Sequence, residues 1–223
     1  MKNIFFWMLP ACLLACCTAA TPAKKRTAEC YVRYLAPEAN LLTEISLKEG
    51  PADGALQAVQ VPGGVLYQHF AMRLLPTEKM TYQYSQPGGY TPEHIFRWKD
   101  TDHQPHELRA ALAPISGFRF NMATLSHRNA ATLTWAGAAL EKGEGLVFMW
   151  ENPVQQLTVP MEVTGMPGQS SIEFPAAKLA ELAPGEWTLY LVRKKVFRTE
   201  VDGVSMSGLL EYYTHTDTIK VSG

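Results

Sequence analysis

The signatures of several enzyme classes are missing from this chain. There is no Gly-x-Ser-x-Gly elbow to lift a nucleophilic serine above a sheet. Neither a Gly-x-Gly-x-x-Gly fingerprint nor a phosphate loop is present to cradle a nucleotide. Charge is scarce, at 18% of 223 residues against the usual quarter, and it lacks a dominant sign, with 20 basic and 21 acidic side chains. That balance argues against a nucleic-acid partner, which selects a basic stripe. No hydrophobic run is long enough to cross a bilayer: the longest, residues 4–14, has about half of the roughly twenty residues a helical span needs. Four cysteines are too few for a disulfide scaffold. Helical periodicity is nearly absent, being confined to residues 175–182.

What the N-terminus does hold is the three-part layout of a secretion signal. Lys2 supplies a positive start, residues 4–14 an uncharged apolar run, and Ala15 a small residue at its end. Leu13-Leu14-Ala15-Cys16 resembles the bacterial lipobox. The resemblance implies removal of residues 1–15, lipidation of Cys16 and acylation of the new amino terminus. Two or three acyl chains make a stable anchor where one does not. Residues 16–28 then read as a lipidated tether, with Lys24, Lys25 and Arg26 near the headgroups. Cys17 and Cys30 remain as thiols, and no structural disulfide between them is expected. The expected location is the cell envelope, on the outer membrane, with the lipid as the means of attachment.

The mature chain is dominated by short strands. Residues 29–35 alternate Cys30, Val32 and Tyr34 against Glu29, Tyr31 and Arg33, the period of a half-buried strand. Further strands are predicted at 42–47, 55–61, 65–75, 79–84, 94–99 and 118–122, with turns at Gly50 to Gly54, Pro62-Gly63-Gly64 and Pro87-Gly88-Gly89. A second set covers 131–135, 145–150, 157–163, 170–174, 186–197, 209–214 and 216–221. About seven strands in roughly ninety residues is the density of an immunoglobulin-like sandwich. The expected fold is therefore all-β, an antiparallel β-sandwich in two tandem domains, residues 29–122 and 123–223, the second immunoglobulin-like. Leu182-Ala183-Pro184-Gly185-Glu186-Trp187-Thr188-Leu189-Tyr190 is similar to the Leu-x-Pro-Gly corner of fibronectin type III modules, although Trp187 and Tyr190 fall one residue before and two after the usual tyrosine. That resemblance implies a fold and not an activity.

One dense polar cluster stands out: Asp100, Asp102, His103, His106 and Glu107 within eight residues. Oxygen and imidazole donors are metal-ligand chemistry, yet the spacing fits neither His-Glu-x-x-His nor an EF-hand loop. Its plain reading is a solvated loop between strands. His69, His94, His127 and His215 are isolated and read as sheet residues. Tyr82, Tyr84, Tyr90 and Trp98, with Phe96, gather near Gly88-Gly89; their plain reading is the filling of a sandwich core, while rings exposed there would suit a sugar or a protein partner. Ser116-Gly117 and Ser207-Gly208 read as turns. No motif requires a cofactor. The expectation is a non-enzymatic envelope lipoprotein that binds a protein or glycan or serves structurally. A hydrolase or metal protein built on residues 100–107 and a carbohydrate-binding module built on the Tyr82 to Trp98 rings are its alternatives.

Overall fold

The computed structural model describes residues 24–76 and 78–223. The signal segment, Cys16, Cys17 and most of the expected tether lie outside those residues.

Alternation of apolar and polar side chains buries one face of a strand, as in the strands that include residues 28–34, 41–47, 106–110 and 204–212. The first half contributes β1 (Lys24–Leu35), β2 (Asn40–Pro51), β3 (Gln57–Ala58), β4 (Val65–Tyr67), β5 (Phe70–Ala71), β6 (Arg73–Leu75), β7 (Thr81–Pro87), β8 (Glu93–Lys99) and β9 (Pro105–Ala111). The second contributes β10 (Ile115–Phe120), β11 (Thr124–Ser126), β12 (Ala131–Gly137), β13 (Glu144–Asn152), β14 (Leu157–Thr164), β15 (Ser171–Phe174), the single turn α1 (Ala176–Leu179), β16 (Gly185–Val201), β17 (Val204–Tyr213) and β18 (Asp217–Ser222). The molecule is all-β. No helix among the described residues is long and apolar enough to cross a membrane.

A main sheet of eleven strands runs the length of the protein, and two smaller sheets cover it. The sheet β5-β4-β8-β9 overlies the first half, where Tyr67 meets Tyr84 at 5.4 Å between ring centroids. The sheet β10-β12-β15 overlies the second, where Phe174 meets Phe148 edge-on at 4.6 Å. This second half is the immunoglobulin-like sandwich: three strands face β13, β14, β16, β18 and β11, and Trp150 is fully buried on β13. At the corner before β16 the Trp187 indole N–H donates to the Ala183 carbonyl at 2.8 Å.

Pairing crosses the boundary expected at residues 122 and 123. β10 lies before it yet pairs with β12, and β17 lies after it yet pairs in parallel with β1. The cause is the length of β16. Its first part pairs with β18, while its second part forms a hairpin with β17 that reaches the first half. Ten residue pairs, from Arg26 with Val204 to Leu35 with Tyr213, make this seam. Gly208 sits opposite Cys30, where a Cβ would lie 2.5 Å from the Cys30 sulfur. Residues 24–28, expected to close the tether, instead open β1: all five pair with β2, and Arg26, Thr27 and Ala28 pair with β17 as well.

Other departures are local. The strand expected over 65–75 is broken into three: Gln68 takes a left-handed conformation (φ 54°) and closes a tight β4–β5 hairpin, and after Met72 the chain passes to the main sheet, where β6 pairs with β7. Residues 105–107 are not loop but the start of β9. Ser116-Gly117 and Ser207-Gly208 lie inside β10 and β17 rather than in turns.

A buried ion pair fastens β13 to β16. Arg193 and Glu144 side chains are 0% and 1% exposed and 2.5 Å apart. Arg193 also donates to the Ala138 and Ala139 carbonyls at 2.9 and 2.8 Å, and the Glu141 backbone N–H donates to Glu144 at 3.0 Å. Every strong donor here has an acceptor, which is what makes a buried pair tolerable. Glu144→Ala leaves the guanidinium uncompensated and is expected to cost about 3–5 kcal/mol in urea unfolding. Glu144→Gln, which keeps an acceptor, should cost less. A loss below about 1 kcal/mol for the alanine variant would show the pair to be dispensable.

Candidate functional site

Asp100 is the pivot of the polar cluster. It is 1% exposed, and its Oδ1 accepts the Asp102 and Gln104 backbone N–H groups, each at 2.9 Å. An aspartate folding its own loop in this way is the ordinary reason for aspartate in turns. Its Oδ2 lies 3.0 Å from His106 Nε2 and 3.0 Å from Arg26 Nε. Burial alone would raise the Asp100 carboxyl. The His106 and backbone hydrogen bonds and the Arg26 charge outweigh it, so the carboxyl sits below its ordinary value of 3.8.

The remaining members of the cluster face elsewhere. Asp102 is exposed and pairs with Lys24 at 2.5 Å and with Arg26. His103 is exposed in a left-handed conformation (φ 61°). Glu107 lies on the outer face of β9, bridging Arg97 at 2.6 Å and Arg109 at 2.5 Å. Only Asp100 and His106 are brought together. Among the described residues no group of three or more His, Cys, Asp or Glu side chains is arranged to hold a metal ion. His106 Nδ1, the nitrogen a carboxylate–imidazole pair would offer to a substrate, is buried without a partner. These contacts also consume the basic residues expected to meet headgroups. Lys24 and Arg26 are paired with aspartates, and Lys25 alone of the three is exposed.

The aromatic cluster is mostly core, as its plain reading has it, and not an exposed platform. Tyr82 is 2% exposed and its hydroxyl accepts the Val61 N–H at 2.9 Å. Trp98 is 6% exposed and stacked on His106. Tyr90 is half-buried, donates to the Leu112 carbonyl at 2.7 Å and packs on Tyr34 and Tyr212. Tyr84 is also half-buried, and it carries Phe70, the one exposed ring beside this cluster. The two rings stack at 5.4 Å with an interplanar angle of 16°. Phe70 was missed because it was placed inside one long strand, where alternation pointed it at the core.

Phe70 edges a hollow of about 150 Å³ between the β4–β5 hairpin and the β7–β8 loop, shared with Tyr67, Gln68, Gln86, Gly88 and Gly89. A larger groove of about 530 Å³ lies at the other end of the small sheet. Gly63, Gly64, Leu66, Trp98 and His106 line it, with Asp202 from the tip of the β16–β17 hairpin.

Two buried groups are tuned by the fold. The Cys30 thiol is 2% exposed, and burial pushes it up to about 12, so no thiolate nucleophile forms at neutral pH. His94 is fully buried, and burial lowers it from 6.5 to about 4. Its neutral ring meets the Tyr67 hydroxyl at 2.8 Å through Nδ1, and the Tyr90 hydroxyl lies 3.5 Å from Nε2. Between pH 4 and 6.5 the unfolded chain protonates this histidine while the folded one does not. Stability from this source is therefore complete above about pH 6.5 and falls by about 3 kcal/mol as the pH drops to about 4. Urea unfolding across that window should show the loss in the native protein and a shallower one in His94→Gln. Parallel curves for the two would contradict this assignment.

No protein-family model matches the chain, and no curated protein matches it. Among solved structures, murine CEACAM1b is similar at 9% identity, over 89% of this chain and 100% of that one, with a TM-score of 0.28.

Proposed function

We propose that this chain is a lipid-anchored envelope protein whose β-sandwich body binds a partner rather than catalysing a reaction. The observation that carries the anchor is Leu13-Leu14-Ala15-Cys16 at the end of a short apolar run. Strand β1 begins at Lys24, so only residues 17–23 separate Cys16 from a body that is hydrogen-bonded on both sides of its first strand. Such a short connection holds the body close to the bilayer, and the acyl chains supply the attachment.

Support for binding over catalysis comes from how the reactive side chains are used. Asp100, His106, Arg26, Glu49 and Asp102 form one ion-paired cluster that ties the β8–β9 turn to the start of β1. Arg193 and Glu144 are spent on the core. The outer membrane is the proposed location, with a protein or glycan as the partner and no nucleic acid.

Radiolabelled palmitate fed to expressing bacteria should label the wild-type chain. Cys16→Ser should lose the label and accumulate as uncleaved precursor. Label persisting in Cys16→Ser would place the lipid on another cysteine and overturn the anchor assignment.

A further inference from the structure

We propose that the hollow beside Phe70 is a subsite for one ring of a neutral sugar. The proposal rests on the binding-module reading above and names its ligand class.

Chemistry selects the ligand by what lines the hollow. Leu41, Tyr67, Gln68, Phe70, Gln86 and Thr91, with the Gly88-Gly89 backbone, present no carboxylate, ammonium or guanidinium. A charged ligand would lose its hydration there and gain no counter-charge. Two carboxamides flank the space. Gln68 is oriented by donating Nε2 to the Glu93 carbonyl at 2.7 Å, which leaves its Oε1 as an acceptor. Gln86 receives the Tyr84 hydroxyl on its Oε1, which leaves its Nε2 as a donor. A donor and an acceptor at one hollow fit hydroxyl groups, which are both.

Shape and apolar surface agree with this. At about 150 Å³ the hollow is below the roughly 300–1,000 Å³ of ordinary small-molecule sites and takes a single ring. Phe70 is 52% exposed, and its inner face is already stacked on Tyr84. Its outer face is thus held rigid and free to receive the polarised C–H face of a pyranose, since an aromatic ring is negative over its face. Gly89 has nothing within 4 Å of where a Cβ would stand, so the backbone rim leaves room for a ligand to approach closely.

The test is titration calorimetry on the full-length protein in detergent, with maltohexaose, cellohexaose, xylohexaose and mannohexaose as probes. At least one should bind with a Kd below about 1 mM. Phe70→Ala should weaken it about tenfold or more, Gln86→Ala about threefold or more, and Phe70→Trp should retain it. Leu66→Ala, on the other face of the same hairpin, should leave it unchanged. Unchanged thermal melting of each variant keeps a folding defect distinct from a lost contact. Binding of none of the four at about 10 mM, or binding indifferent to Phe70→Ala, overturns the proposal. So does Phe70-dependent binding of a proline-rich decapeptide in place of the sugars, which would make the hollow a peptide site. Acyl labelling at Cys16 is read separately, so failure of the anchor and failure of the subsite are distinguishable.

Discussion

The architecture depends on one backbone contact, the parallel pairing of β1 with β17. β17 belongs to the second half of the chain and β1 to the first, so their ten residue pairs turn two sandwiches into one hydrogen-bonded sheet. Parallel neighbours cannot be joined by a tight turn. Here a long excursion separates them, and the intervening chain builds every other strand but β18. Inward-facing Ala28, Cys30, Val32 and Tyr34 of β1 and Val204, Met206, Leu210 and Tyr212 of β17 lie on a single contiguous core. Each strand of the seam is thereby buried against residues from both halves.

Polar chemistry gathers at the ends of that seam and serves it. At one end Arg26 of β1 meets Asp100 and Asp102 of the β8–β9 turn. Toward the other, Tyr212 of β17 stacks on Tyr34 and meets Tyr90 edge-on, and Tyr90 contacts buried His94. Arg193, on the strand that feeds β17, is locked to Glu144. Charges withdrawn from water need fixed partners, and here those partners come from elements distant in sequence. Asp100 and Asp102, from the one polar cluster that stands out in the sequence, tie the β8–β9 turn to β1 through Arg26.

Much of the fold was legible from residue patterns. Alternation placed β1, β8, β12 and β13 within a few residues, and the Leu182 to Gly185 corner marked the entry to β16. Partner choice was not legible, because a period of two says which face is buried and nothing about which strand lies alongside. That is why a boundary at residue 122 looked natural and why the reach of β16 to Val201 went unseen. Val65 to Leu75 misled for a related reason. Gln68 in a left-handed conformation is an uncommon choice for a hairpin turn, so the break was invisible. The site suffered most: a break at Gln68 moves Phe70 from an expected core position to the rim, while Tyr82 and Trp98 went inward.

Residues 17–23 join the proposed anchor to β1, and the β1–β17 seam carries that attachment into both sandwiches. The direct test of a single shared sheet is native-state hydrogen exchange over increasing urea, read on amides of β8 and β9 and on amides of β13 and β16. If the seam makes one cooperative unit, the two groups converge on the same opening free energy and the same urea dependence. If β8 and β9 exchange through an opening that leaves β13 and β16 protected, the halves unfold independently and the seam does not unite them.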